Sequence, residues 1–341
     1  MLILFMTKLA QQPDMNPWPH RLAVLLVCAT VALLIAGGLV TTTRSGMAFK
    51  DWPTSDGFNM LTYPFWRATG DKLVEHSHRL MGAAVGMTTI VLGIAIGKTD
   101  SRRWVQVLAA AAVGLVIAQG ILGGMRVRAD AVLLARIHGC VAPLFFAVVV
   151  GLAAVTSKRW ATPARVTQDS ALRKLFLLAV AITIMSYVQL VVGAHLRHVG
   201  PNATADMFRL ALVFHLILAA ALLIQIAVVA FSVLRTRRIY TPALWPALFL
   251  LLLMMLQVSL GLWTWTLKYS WPGSVLGEWQ FTSGWTNTAG SFAQSATVTA
   301  HVVNGSLILG TSLLLALRLF RSMSHSQAAP CVGHGLVGAS Q

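Results

Sequence analysis

His78, His138, His215 and His301 each fall near the start of a long apolar segment, and those segments are the even-numbered ones of eight. A side chain that ionises or binds metal is costly inside a bilayer, so an intramembrane histidine is read first as functional. A heme iron takes axial ligands from opposite faces, and two imidazoles on facing helices of a four-helix bundle supply them. The four histidines therefore suggest two bis-histidine heme sites at one depth, His78 with His138 and His215 with His301. A lone membrane histidine is as readily a hydrogen bond to a neighbouring helix, and four at equivalent positions weaken that reading. Zinc fits less well, because two histidines without a nearby cysteine or carboxylate pair leave its tetrahedral site half filled.

The elements that must position these residues are legible from hydropathy. Apolar runs of about 20 residues, the length that crosses a bilayer as helix, occur near 21–40, 74–97, 104–125, 134–156, 172–194, 209–233, 243–266 and 296–317. Of 341 residues 57% are hydrophobic and only 11% charged, with a mean hydropathy of +0.73. That excludes a water-soluble globule, in which about a quarter of residues are charged. The expected fold is an all-α polytopic membrane protein of eight transmembrane helices. The net charge of +16 is spread over short caps between spans, not over one face, so no nucleic-acid partner is expected. Lys98, Arg102, Arg103, Lys158, Arg159, Arg173, Lys174, Arg235 and Arg321 mark alternate ends, with Lys8 and Arg21 at the start. By the positive-inside rule those ends are cytoplasmic, giving an N-in/C-in topology. No cleavable signal peptide is expected, since residues 1–10 lack a basic region ahead of an apolar core. Cys28, Cys140 and Cys331 form no CxxC or disulfide pattern.

Segments 1–4 and 5–8 read as two copies of one unit. His78 matches His215 and His138 matches His301, while Gln119 and Gly123 recur as Gln257 and Gly261, and once more as Gln189 and Gly193. Four spans separate the copies, so they run in the same direction as a parallel repeat. The plain reading of Gln-x-x-x-Gly is helix packing, with Gly allowing close approach and Gln finding an interhelical partner. Gly82 with Gly86, and Gly120 with Gly124, form thin faces suited either to packing or to a flat macrocycle. The implied organisation is residues 1–20 cytoplasmic, 21–157 a first bundle, 158–171 a cytoplasmic linker, 172–317 a second bundle and 318–341 a cytoplasmic tail.

The halves differ beside their histidines. Glu75 and Arg79 flank His78 at i−3 and i+1, where His215 has Leu212 and Leu216. An apolar shell serves a cofactor that only shuttles electrons, whereas bond-making calls for proton transfer and fixed charge; the first half is thus the expected reactive one. A Glu75 to Arg79 salt bridge that only closes the helix end is the competing reading. Arg126, Arg128 and Arg136, and Arg197 with His198, lie near the outer ends, where heme propionates would seek basic partners. His76 is about 200° around the helix from His78 and cannot share its iron. His195 is a packing or propionate contact, and His20, His325 and His334 are expected in solvent.

These residues resemble the heme A synthase family. The matching pieces are GGLVTTTRSGMAFKDWPTSDG, EHSHRLMGA, ARIHGC, RHVG and the two later histidines, over roughly 25–318. The resemblance implies an enzyme of two pseudosymmetric four-helix bundles that oxidises a pyrrole methyl of heme O to a formyl group. It further implies that His215 and His301 hold a resident heme b, that His78 and His138 hold the substrate heme, and that Glu75 is the essential carboxylate. The setting would be the inner (cytoplasmic) membrane as a multi-pass protein, with heme O handed over by heme O synthase and an unidentified electron donor. Many bacterial members carry a cysteine pair in the first outer loop; this chain has Phe49 and Ser55 there, so no thiol chemistry is expected. Aromatics Trp52, Phe58, Tyr63, Phe65 and Trp66 suggest a loop at the interface that covers the substrate bundle.

The main alternative is a diheme b-type cytochrome that passes electrons without modifying heme. A transporter is disfavoured by the lack of interrupted helices and midplane acids. A prenyltransferase is disfavoured because it needs carboxylate clusters to hold magnesium, and Asp51 with Asp56 is a pair rather than a cluster.

Overall fold

The computed structural model describes residues 16–161, 170–197, 204–235, 241–269 and 290–324. His198, His325, His334, Cys331 and most of the 158–171 linker lie outside them. Eight helices are long and apolar enough to cross a membrane: α1 (Pro17–Thr42), α2 (Gly70–Thr99), α3 (Arg103–Ala129), α4 (Val132–Val155), α5 (Ser170–Arg197), α6 (Ala205–Arg235), α7 (Thr241–Tyr269) and α8 (Phe292–Ser324). Nearly every end extends beyond the apolar run that predicts it, because near lipid the backbone satisfies its own polar groups best by staying helical. At the start of α1, the Asn16 side chain accepts from Trp18 N–H at 3.0 Å and Pro17 fills a position that needs no donor. The chain is a multi-pass membrane protein, and large apolar side chains such as Ile94, Val107, Ile217 and Leu252 are more than half exposed on its flanks.

Neighbouring helices close into two rings. Helix α1 packs on α2 and α4, and α3 on α2 and α4; in the second half α5 packs on α6 and α8, and α7 on α6 and α8. Helices α1 and α4 meet α8, and α4 also meets α5, so the seam is built from these four. The repeat inferred from the motifs is thus matched by the same neighbour pattern twice.

The large apolar core of each ring lies toward one end. The first core joins Ala23 and Leu26, Leu92 and Ile96, Val105 and Ala109, and Val149 and Leu152. The second joins Leu172 and Ala179, Ile226 and Val233, Ala243 and Leu250, and Leu315 and Leu319. These are the beginnings of odd helices and the ends of even ones, hence the basic end, while all four histidines lie at the opposite end. Several basic residues there do more than mark orientation. Arg102 is buried and grips Asp100 at 2.6 Å while donating to the Val155 carbonyl at 3.1 Å, and Arg321 donates to the Trp160 carbonyl at 2.7 Å. His20, expected in solvent, is half-buried with Nδ1 3.0 Å from the Ala153 carbonyl; the close approach of α1 to α4 captures it.

At the seam, a Cβ on Gly310 of α8 would lie 2.8 Å from a ring carbon of Phe146 and 3.2 Å from Val150 Cγ2 on α4. Gly310→Val should therefore overpack the seam and cost about 1–3 kcal/mol, read as a lowered thermal unfolding midpoint of the detergent-solubilised protein.

Candidate functional site

The imidazole rings of His78 and His138 have centroids 6.5 Å apart, and so do those of His215 and His301. Two imidazoles bonded through Nε2 to one metal ion from opposite sides, with bonds of about 2 Å, place their centroids roughly 6.3 Å apart. Both pairs therefore stand at the spacing of axial ligands. Among the described residues no group of three or more His, Cys, Asp or Glu side chains gathers at metal distance, which favours a two-ligand iron over tetrahedral zinc.

Each ring is seated on a glycine of the preceding helix. A Cβ on Gly37 would lie 2.9 Å from His78 Cε1, one on Gly123 3.3 Å from His138 Cε1, one on Gly193 3.4 Å from His215 Cε1 and one on Gly261 3.2 Å from His301 Cε1. In the last three the Cε1–Nδ1 edge faces the glycine, which leaves Nε2 on the far side of the ring. All four Nδ1 atoms are buried without a hydrogen-bond partner. Nε2 of His138, His215 and His301 is thus the ring nitrogen turned away from the seating helix.

The glutamines of Gln-x-x-x-Gly complete the grip. Gln119 Nε2 donates to the His138 carbonyl at 3.1 Å and Gln189 Nε2 to the His215 carbonyl at 2.9 Å. Gln257 Nε2 lies 3.3 Å from His301 Nε2, and its Oε1 accepts from buried Asn304 at 2.7 Å. The helix-packing reading of the motif holds, and what is packed is the turn that bears the histidine. Along the His78 face, Gly82 and Gly86 would present a Cβ to open space, which suits a macrocycle better than a packed helix. Gly124 instead receives the Trp52 indole of the outer loop.

Among the described residues, charge gathers at the first pair. Glu75 is 2% exposed; its Oε1 accepts from Arg79 Nη2 at 2.7 Å and from Nε at 3.1 Å, and its Oε2 accepts from Phe49 N–H at 3.1 Å. The salt bridge weighed from sequence is therefore formed. Arg79 Nη1 also donates to the carbonyls of Asp51 at 3.0 Å and Thr54 at 2.9 Å, so this one side chain ties α2 to the loop. Arg126 donates to the Gly46 carbonyl at 3.1 Å and lies within electrostatic reach of Glu75, Arg79, His78 and His138. At the second pair Leu212 is half-buried, but Leu216 is 57% exposed and faces outward. Arg197 crosses the seam to donate to the Gly38 carbonyl at 2.8 Å.

The outer loop is a small structure of its own. Strands β1 (Thr54–Ser55) and β2 (Phe58–Asn59) pair antiparallel about Asp56 and Gly57, both at positive φ, the turn chemistry of a tight hairpin. The Asp51 carboxylate accepts from Asp56 N–H at 3.0 Å and Gly57 N–H at 2.9 Å, and Asp56 pairs with Lys72 at 2.5 Å. Both acids are thus absorbed by the loop. Phe49 is fully buried, its ring 5.3 Å from Tyr63 and 6.0 Å from His76. His76 is 1% exposed and packs into that aromatic group, away from His78. Phe58, Phe65 and Trp66 are the exposed aromatics of the loop. His195 is exposed, its Nδ1 3.4 Å from Arg136 Nη1.

Sequence reasoning missed Gly37 and the shared role of Gly123, Gly193 and Gly261. The signal was a glycine at one level on every odd helix, set against a histidine on every even one.

No protein-family model matches the chain. Proteins named heme A synthase are similar to it: that of Lysinibacillus sphaericus (strain C3-41) is 28% identical over 190 residues, 54% of this chain and 59% of the relative. That of Shouchella clausii (strain KSM-K16) is 28% identical over 193 residues, 56% and 62%, and that of Halalkalibacterium halodurans 34% over 127 residues, 37% and 40%. The chain spans less than two thirds of the length of these curated relatives. The resemblance to the heme A synthase family is borne out.

Partial burial opposes the charge on Asp51, yet hydrogen bonds from Gly57, Thr54 and Asp56 outweigh it and hold its pKa below 3.8. A folded-state pKa below the unfolded one gives stability present above the unfolded pKa and lost as pH falls through the folded one. Pepsin cleavage within residues 50–67 should therefore stay slow down to about pH 3.8 and accelerate below it, as followed by mass spectrometry of the fragments.

Proposed function

We propose that this chain is a membrane-bound, heme-dependent oxidoreductase, a heme A synthase that converts a pyrrole methyl of heme O to a formyl group for terminal oxidase assembly. The observation that carries this reading is the inequality of two otherwise matched histidine pairs: Glu75, Arg79 and Arg126 crowd the first, and among the described residues nothing comparable joins the second. The similarity to proteins named heme A synthase supports it.

In this reading His78 and His138 hold heme O as substrate, and His215 and His301 hold a resident heme b. The heme b would supply a one-electron store between donor and reaction. Each of two hydroxylations would replace a methyl C–H by C–OH, taking one atom of dioxygen while the other leaves as water with two electrons from the donor and two protons, and the resulting diol would lose water to give the aldehyde. Arg79 holds the Glu75 carboxylate in place, and Glu75 Oε2, shared only with the Phe49 N–H, accepts a proton as the substrate carbon is oxidised. Arg126 and Arg79 add positive charge beside the iron ligands, Arg126 offers a partner for a substrate carboxylate, and Arg197 with His198 do so toward the second site. Residues 21–157 form the substrate bundle and 172–317 the heme b bundle, in the inner membrane with 1–20, 158–171 and 318–341 cytoplasmic. Heme O synthase, handing over substrate, and an electron donor are the expected partners.

The second reading, a diheme b-type cytochrome, draws on one observation: both oxygens of Glu75 are engaged, as in a purely structural clamp. In cells making heme O, followed by extraction and chromatography of hemes, the wild type should yield formyl heme. His215→Ala or His301→Ala should lose the resident heme, and His78→Ala should keep it while abolishing product. Glu75→Gln should retain both hemes and lose about 10²-fold or more of product formation; wild-type product from Glu75→Gln would establish the cytochrome instead.

A further inference from the structure

We propose that His78 is the ligand through which the first bundle exchanges its heme, and that loop residues 49–55 are its latch. This rests on the reading of the histidine pairs as heme sites.

Three of the four histidine-bearing segments are held from inside the bundle by a glutamine four residues before the seating glycine: Gln119 and Gln189 donate to the histidine carbonyl, and Gln257 accepts from Asn304, one turn beyond His301. At the fourth, the residue four before Gly37 is Leu33, which packs into the apolar core and offers no hydrogen bond. The His78 turn is held from outside instead. Glu75, one turn before His78, accepts from Phe49 N–H, and Arg79, the residue after it, donates to the Asp51 and Thr54 carbonyls. Trp52, in the same segment, covers Gly124 on α3. The segment that fixes one turn of α2 thus also lies over the neighbouring helix of the same bundle.

A ligand turn tied to its neighbour helix moves only if two packed helices part. A turn tied to a surface hairpin is freed when the hairpin lifts, and loops open at lower cost than packed helices. His138, His215 and His301 therefore stay in place while His78 lets go. The arrangement gives the substrate site an exchangeable ligand opposite a fixed one, and the second site two fixed ligands. A catalyst that turns over one heme and retains the other needs that difference.

The test loads the full-length protein in detergent with heme and follows transfer to excess apomyoglobin by absorbance. Wild type should release heme in two phases, with the fast phase missing from His138→Ala and so assigned to the first bundle. Leu33→Gln supplies the missing clamp and should slow the fast phase about three- to tenfold, the worth of one hydrogen bond, without altering the slow one. Asp51→Asn loosens the hairpin and should speed the fast phase. An unchanged fast phase in a Leu33→Gln protein of wild-type thermal stability overturns the proposal; should that variant misfold, an unchanged fast phase in Asp51→Asn does so. Failure of the wild type to take up heme would instead overturn the assignment of the histidine pairs.

Discussion

An imidazole can lie edge-on against a neighbouring helix only where that helix presents no Cβ. All four candidate ligands meet this condition, with Gly37, Gly123, Gly193 and Gly261 as seats and the ring carbons within about van der Waals distance of where a methyl would stand. The seat fixes which edge of the ring turns inward, and hence which nitrogen can meet a metal. The 6.5 Å separation of both pairs follows from two such seats facing one another across each ring of helices.

Seating four polar rings within a lipid-soluble bundle requires the rest of each bundle to be sealed by other means. Apolar side chains close the basic end of both rings, and Arg102 with Asp100 and Arg321 with Trp160 bind the turns there. The opposite end is left to the histidines, to glycines with open space before them such as Gly82 and Gly86, and to the outer hairpin. The large apolar cores and the histidine pairs are thus segregated along the helix axes.

The two halves then diverge through a few side chains. Arg79 spends its guanidinium on Glu75 and on two loop carbonyls, joining a buried charge pair to a surface hairpin. Breaking such a pair on one side would leave an uncompensated buried charge, at about 3–5 kcal/mol, so loop and acid are held as one unit. Among the described residues the second half has no counterpart: Leu216 turns outward, and Arg197 is drawn across the seam to Gly38.

Composition and spacing by themselves determined eight spans, the repeat, the pairing of His78 with His138 and of His215 with His301, and the charge beside only one pair. These follow from periodicity and hydropathy, which are local properties that a bilayer enforces on every apolar segment. What the glutamine and glycine pairs hold, where Arg79 sends its remaining donors, why His20 leaves solvent and why Leu216 is not part of a lining were decided only by tertiary structure. Each depends on the rotation of one helix against another, and a sequence with a Gly on every odd helix and a His on every even one does not state which faces meet until all eight helices are packed.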